Sequence, residues 1–367
     1  MCEDLVQQAM RAYFDFVGSF WDPTKKYFYT YDDHGIDPNH MIGPEDGAYS
    51  DYWWEAQLWE MVLDGYAATG DERLRTMIDD VFEGFRHAYP DFRKNYWNDD
   101  IGWWARAAIR AYYLTSNLTY LQAAIKIFDF ISQFEDDRYG GGIWWKNIDI
   151  GNGTKNEKNV ATNATAVYTA LRIYAATGRT TYREQAVRIF AWLERNFYNS
   201  GHILDQVKGE GAGEFREWNW TYNNGGYAGA ALEMFIMTAD VHYLRQAEKS
   251  IDWAINNLTD RGVFISEGVG DGGGFKAILT RNIRAVMDRG RLYRYQGILD
   301  HNAQSAIASL NASGIGGYDW NAHLPLLRTV PTQSLAASAT VALLFQALPV
   351  SLDGIVRGTP CPPRSSS

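Results

Sequence analysis

One pattern recurs four times along the chain. The stretches "YAATGDERLRTMIDDVFEGF" from Tyr66, "YYLTSNLTYLQAAIKIFDFI" from Tyr112, "YAATGRTTYREQAVRIFAWL" from Tyr174 and "FIMTADVHYLRQAEKSIDWA" from Phe235 share a layout. Each holds the end of one helix, a tight turn after Thr69, Thr115, Thr177 or Thr238, and then an amphipathic helix with apolar residues near i, i+3, i+4 and i+7. A hairpin of this kind cannot bury its apolar face alone, so the copies must stack on one another. Counting outward from them predicts twelve helices, over residues 3–20, 51–69, 71–88, 99–115, 117–134, 159–177, 179–197, 223–238, 240–258, 274–289, 297–311 and 332–348. Six such hairpins can close on themselves as an all-α (α/α)6 toroid, with even-numbered helices inside and odd-numbered helices outside. Closure removes the end repeats that an open stack would have to cap. The expected organisation is one domain over residues 1–350 followed by a polar tail, 351–367.

Loop lengths place a site on this ring. Every long connection, rich in Gly, Asn, Trp and Asp, precedes an even helix, and most connections into odd helices are tight turns. The long loops therefore lie on one face, over the N-termini of the inner helices, where free N–H groups and positive potential point into the mouth of the ring.

Composition narrows what such a mouth could bind. A net charge of -10 and a pI near 5.2 argue against nucleic acid or an anionic membrane, both of which select basic patches. With 14 Trp and 23 Tyr the chain carries more amphipathic aromatic surface than a core requires, and such rings suit stacking on sugars. No run of about twenty apolar residues is present, and "MCEDLVQQAM" lacks the order of a signal peptide, so the sequence fits a cytosolic protein or a mature secreted form. Sequons at Asn117, Asn152, Asn163, Asn219, Asn257 and Asn311 favour the secreted or cell-wall-associated form. Cys2 and Cys361 are the only cysteines, so no cysteine metal site is possible; at the two ends of a closed ring they could instead form one disulfide. No cofactor or metal is expected, and the chain is expected to act as a monomer.

The inner helices open on a converging set of polar and aromatic residues. The second opens with Asp51, Trp53, Trp54 and Glu55, and the fourth with Asp99 and Asp100 in "NDDIGWW". The sixth opens with Lys158, Asn159 and Asn163, and the eighth with Tyr222, Asn223 and Asn224. The tenth brings Phe275, Lys276 and Arg281, and the twelfth Thr332, Gln333 and Ser334. An Asp or Asn at a helix start is ordinarily a cap, and paired tryptophans are ordinarily core. Capping does not explain why all of these fall on one face, and two adjacent carboxylates in a mouth of this kind are candidates for acid–base and nucleophilic work.

At these residues the chain resembles glycoside hydrolase family 76, the α-1,6-mannanases and their fungal cell-wall relatives. The resemblance rests on "NDDIGWW", "GGIWWKN", the K-N-x-x-x-N of Lys158 to Asn163, and "YNNGGYAGAA" with "FKAILTR"; it runs from about Tyr49 to Arg281 and then more weakly to the last helix. It implies an (α/α)6 barrel that cleaves α-1,6-mannosidic bonds in mannan with retention, in an endo manner, with Asp99 as nucleophile and Asp100 as general acid/base. The mouth then gives a substrate-contacting set of Asp51, Trp53, Asn98, Trp103, Trp144, Asn159, Asn163, Asp205, Tyr222, Asn223, Asn224, Phe275, Lys276 and Arg281, with Trp103, beside the Asp pair, and Trp144, in the loop before the sixth helix, as first candidates for stacking. Members often carry Gln where Asn224 stands. Asn163 and Asn219 should lie close to such a site, which would leave their sequons unused. Retention needs two carboxyl groups about 5 to 5.5 Å apart, which neighbours at a helix start can supply. Three function classes follow: a mannan hydrolase, a cell-wall transglycosylase acting on mannose-containing glycans, and a non-catalytic glycan-binding protein, the last opposed by the intact Asp pair. An unsaturated glucuronyl hydrolase on the same ring would want more arginine at the mouth.

Overall fold

The computed structural model describes residues 2–148, 157–321 and 331–349. Cys361 and the side chain of Cys2 lie outside the described part, and with them the expected disulfide. Among the described residues are twelve long helices: α1 (Cys2–Phe20), α2 (Tyr52–Thr69), α3 (Glu72–Ala88), α4 (Asn98–Thr115), α5 (Leu118–Ile131), α6 (Val160–Thr177), α7 (Thr180–Phe197), α8 (Thr221–Thr238), α9 (Val241–Asn257), α10 (Gly272–Gly290), α11 (Gln296–Ala308) and α12 (Ser334–Ala347). They match the expected twelve to within a few residues. The largest differences are at the ends of α5, whose last turn tightens into a 3-10 turn at Ser132–Phe134, and of α11, which stops at Ala308.

The repeated Thr explains the repeated turn. Thr69, Thr115, Thr177 and Thr238 each donate Oγ1–H to the carbonyl four residues back, at 2.7 to 2.8 Å. Each also accepts the backbone N–H two residues on, at 3.1 to 3.3 Å. The residue between, Gly70, Ser116, Gly178 or Ala239, turns the chain in the left-handed region. Asp71, Asn117 and Asp240 then cap the outgoing helix by accepting from Arg73, Thr119 and His242 N–H; Arg179, in the third copy, cannot cap.

The six even helices form a closed ring, α2 on α4, α4 on α6, α6 on α8, α8 on α10, α10 on α12 and α12 back on α2. Outside, α3, α5, α7 and α9 pack on the helix before each, while α11 and α1 both pack on α12 and cover the join between the chain's two ends. Inner helices are buried nearly all round, as in α2, where Tyr52 to Gly65 are without exception buried. Close approach of the inner helices depends on glycine. A Cβ on Gly225 of α8 would lie 2.6 Å from Leu279 Cα of α10, and one on Gly274 would lie 2.7 Å from the Leu335 side chain of α12. The "GGGF" segment, which also fits a turn, is helical here, and α12 leaves no room for side chains at Gly273 and Gly274.

Below the mouth the ring is filled by charge. Glu60 and Asp64 of α2 pair with Arg106 and Arg110 of α4 and with Arg281 of α10, all buried or nearly so. Above it lie short strands that periodicity did not reveal. β1 (Trp21–Asp22) pairs β2 (Tyr27–Phe28), β4 (Tyr198–Asn199) pairs β5 (His202–Ile203), and β8 (Thr259–Asp260) pairs β9 (Val263–Phe264). β3 (Glu157–Asn159), β6 (Gln206–Lys208) and β7 (Glu214–Arg216) make a three-stranded antiparallel sheet with Asn159 opposite Gln206 and Gln206 opposite Arg216. This sheet ties the loop before α6 to the loop before α8, over the site.

The glycine contacts set a test. Gly225→Ala should destabilise the fold by about 1–3 kcal/mol or more, because the methyl meets helix backbone rather than a movable side chain. The check is a lowered midpoint of denaturant unfolding with an unchanged slope.

Candidate active site

A cavity of about 460 Å³ opens at the N-terminal ends of the inner helices, lined by five carboxylates and a wall of aromatic rings. The carboxylates are Asp51, Asp99, Asp100, Asp205 and Asp271, and among the described residues no Lys, Arg or His shares the lining. Among the described residues no group of His, Cys, Asp and Glu could hold a metal ion. No helix there is long and apolar enough to cross a membrane.

Asp99 and Asp100 are not caps in the ordinary sense. Helix α4 starts at Asn98, its N-cap position is Trp97, and that residue makes no side-chain cap. The two carboxylates thus sit inside the first turn, where the helix dipole favours anions but burial opposes them. Asp99 Oδ1 accepts from the Asp100 N–H at 3.0 Å, Oδ2 accepts from Asn159 Nδ2 at 3.0 Å, and the Trp145 indole is a further partner. Burial raises the Asp99 carboxyl above the usual range, and these three donors pull it back. Asp100 accepts from Asn95 Nδ2 at 3.1 Å. Burial, then the like charges of Asp99, Asp51 and Asp271, push it well above the usual carboxylate range. Two neighbours in sequence are thereby driven apart: one is supported as an anion, the other held toward its neutral acid.

The motif around Asn159 builds that support. Asn159 caps α6 through Oδ1, accepting from Thr162 N–H at 3.0 Å, and spends its amide N–H on Asp99, so capping and site roles coexist in one side chain. Lys158, wholly buried, donates to Asp136 Oδ1 and to the carbonyls of Asp136, Arg138 and Gly141 at 2.7 to 3.0 Å, folding that loop. Asn163 pairs with both the N–H and the carbonyl of Ile143 and so fixes the strand-like segment that carries Trp144 and Trp145.

Of the residues expected to contact substrate, Asp51, Trp53, Trp103, Asn159, Asp205, Tyr222 and Phe275 line the cavity. Asp51 also caps α2 by accepting from Tyr52 N–H, and burial pushes it up to about 6. Asp205 accepts from the Tyr222 hydroxyl, and burial raises it as well. The other seven lie elsewhere. Asn98 and Asn163 are wholly buried and brace the Ile143–Trp145 segment, Asn98 donating to the Trp144 carbonyl at 2.9 Å. Trp144 turns away to donate to Asp136 at 2.9 Å, because alternate residues of an extended segment face opposite sides; its neighbour Trp145 is the one in the cavity. Asn223 holds the Trp218 carbonyl at 2.9 Å, and Asn224 points outward to the carbonyls of Gly201, in the β4–β5 turn, and of Ser250, in α9. Lys276 reaches the Tyr318 carbonyl at 2.6 Å and lies over the Trp320 ring; burial lowers it to about 8. Arg281 belongs to the buried charges below the mouth, bonded to Asp64 and Gln57.

The structure adds Asn95, Trp97, Trp145, Gln206, Trp218, Trp220 and Asp271 to the lining. The spacing in "WNW", with both tryptophans on one side of an extended segment, was a usable signal for Trp218 and Trp220. A lone Asp before three glycines gave none for Asp271.

These features agree with what the chain resembles. The mannan endo-1,6-alpha-mannosidase DCW1 of Saccharomyces cerevisiae is 26% identical over 232 residues, 57% of this chain and 51% of its own. The mannan endo-1,6-alpha-mannosidase DFG5 of the same organism is 25% identical over 207 residues, 51% of this chain and 44% of its own. The chain thus spans about half the length of the curated relatives it matches. Among solved structures, the GH76A alpha-1,6-mannanase from Salegentibacter sp. HEL1_6 superposes with a TM-score of 0.82 at 26% identity, covering 94% of this chain and 98% of that one. An inactive variant of the same enzyme, with two consecutive aspartates replaced by asparagine and in complex with alpha-1,6-mannotriose, superposes with a TM-score of 0.83 at 25% identity, covering 94% and 99%. The profile of glycosyl hydrolase family 76 matches residues 6–347, and the chain belongs to that family.

Proposed function

We propose that this chain hydrolyses α-1,6-mannosidic bonds within mannan, with retention of configuration. Asp99 attacks the anomeric carbon while Asp100 protonates the leaving oxygen and then activates water. The observation that carries this reading is the unequal support of two adjacent carboxylates: Asn159, Trp145 and a backbone N–H stabilise the Asp99 anion, and only Asn95 holds Asp100, which faces three other carboxylates. A nucleophile must be ionised and a general acid must not, so the asymmetry matches the two roles. It is supported further by the Salegentibacter enzyme, an α-1,6-mannanase that is inactive when two consecutive aspartates are replaced. Trp97 and Trp145 on one side and Trp53, Phe275, Trp218 and Trp220 on the others offer apolar faces to pyranose rings. Aromatic walls on several sides also leave room for an acceptor sugar, so transfer to a second glycan is the competing reading. Action outside the cell is supported by sequons at the exposed Asn219 and Asn257 and the half-buried Asn117 and Asn311; Asn163 is wholly buried, which leaves its sequon unused.

Incubation with linear α-1,6-mannan should give short oligosaccharides whose first-formed reducing ends are α by proton NMR. β-Configured products would exclude retention, and products longer than the substrate in the presence of added mannobiose would favour transfer.

Asp99→Asn and Asp100→Asn should each reduce turnover by several orders of magnitude. The Asp100 carboxyl is raised in the folded state, so the stability it contributes is present below the ordinary carboxylate range and is lost as pH climbs through that range toward its raised value. Asp100→Asn should therefore raise Tm at neutral pH while abolishing activity; an early-melting variant would mean that the carboxylate is structural.

The pH profile should be a bell with both limbs above the ordinary carboxylate range. Activity is lost toward acid as Asp99 takes a proton and toward alkali as Asp100 loses one, the limbs belonging to the coupled pair. A profile flat from pH 4 to 8 would contradict this assignment.

A further inference from the structure

Asp271 stands at the start of α10, on the far side of α12 from α2, and its Oδ1 accepts from two indoles of α2 at once. Trp53 Nε1 donates to it at 3.0 Å and Trp54 Nε1 at 2.8 Å. The two rings have different surroundings. Trp54 is wholly buried and stacked on His40 at 4.6 Å, whereas Trp53 lines the cavity and lies beside Phe275, at 6.1 Å and 29°. One carboxylate oxygen thus joins a core ring to a cavity-wall ring. The segment carrying it is fastened as well: Gly270 N–H donates to Gln333 Oε1 of the α12 cap at 2.7 Å, and Gln333 Nε2 donates to the Tyr31 hydroxyl at 3.2 Å.

We propose that Asp271 is a positioning residue for the reaction: it sets the Trp53 indole as a sugar-facing wall and places a carboxylate opposite Asp100. The inference rests on the proposed glycosidase reading. Indole N–H groups are donors only, so an acceptor shared between two of them ties the two rings together; without it Trp53 would keep its packing, Phe275 included, but lose the polar contact that sets its N–H edge. The second part is electrostatic. The groups that face Asp100 are Asp99 on its own helix, Asp51 at the start of α2, Asp271 at the start of α10, the Asn95 amide, and the phenols of Tyr52 and Tyr89. Among the described residues no cation lines the cavity; Lys146, behind the Trp97 and Trp145 rings, acts on Asp99, while Asp51 and Asp271 act on Asp100 in the same direction as Asp99, holding its proton on.

Two substitutions separate the roles. Asp271→Asn keeps an oxygen that can accept both indoles and removes the charge; Asp271→Ala removes both. With α-1,6-mannotetraose as substrate, Asp271→Asn should move the alkaline limb of kcat to lower pH with KM within about twofold of the parent. Asp271→Ala should show the same displacement and also raise KM by roughly five- to tenfold, the loss of one positioned aromatic contact. Carboxyl 13C NMR of Asp100 in the full chain reads the same displacement without substrate. A protein inert toward mannan would overturn the proposed function and still report on Asp271. An Asp100 titration identical in the parent and in Asp271→Asn would overturn the electrostatic role. Parent-like KM in a folded Asp271→Ala variant would overturn the positioning of Trp53.

Discussion

Closure of the inner ring is the constraint on which the rest depends. Once α12 packs back on α2, all six inner helices run in one sense, and every N-terminus arrives on the same face. The loops feeding those helices have no other place to go, and they bring their Asp, Asn and Trp residues together without any of them being close in sequence. Parallel alignment of helices is electrostatically unfavourable in itself. Here the N-terminal face receives five carboxylates, while Arg110, Arg172, Arg284 and Arg289 lie toward the C-terminal ends, each paired with a carboxylate there: Glu60, Glu233, Asp288 and Glu233 in turn. The same glycines that look dispensable in sequence, such as Gly225 and Gly274, set how tightly the ring can be drawn.

Within that frame, the site works by unequal treatment of equals. Asp99 and Asp100 share a chain, a helix turn and a cavity; the difference between them comes from what surrounds each. Asn159 and Trp145 reach Asp99 from the segments entering α6, and Asp51 and Asp271 face Asp100 from α2 and α10. The burial of Lys158 and Asn163 belongs to the same scheme at one remove, since they hold in place the segments from which Asn159 and Trp145 act.

The helices were legible in the sequence because a 3.6-residue period repeated four times leaves little freedom, and the Thr of each turn carries its own hydrogen-bond logic. The face bearing the site was legible from loop lengths. Which residue of a pair looks inward was not. Trp144 and Trp145 differ only in parity along an extended segment, and parity there is fixed by Asn98 and Asn163, which hold the segment from other helices. Arg281 was misplaced by depth: nine residues after Gly272, it lies about 13 Å down the helix, beneath the cavity. Asp271 escaped because its partners, Trp53 and Trp54, are more than two hundred positions away.

The buried charges beneath the mouth bear on traffic. Glu60, Asp64, Arg106, Arg110 and Arg281 stand in the middle of the ring; all but Glu60 line the cavity of about 240 Å³ on the opposite face, and that cavity shares no lining residue with the aromatic one above. The barrel is a cup and not a tube. Among the described residues the two cavities do not join, so a ligand that enters at the N-terminal face leaves by it, and arrival of a new ligand and departure of an old one compete for one doorway.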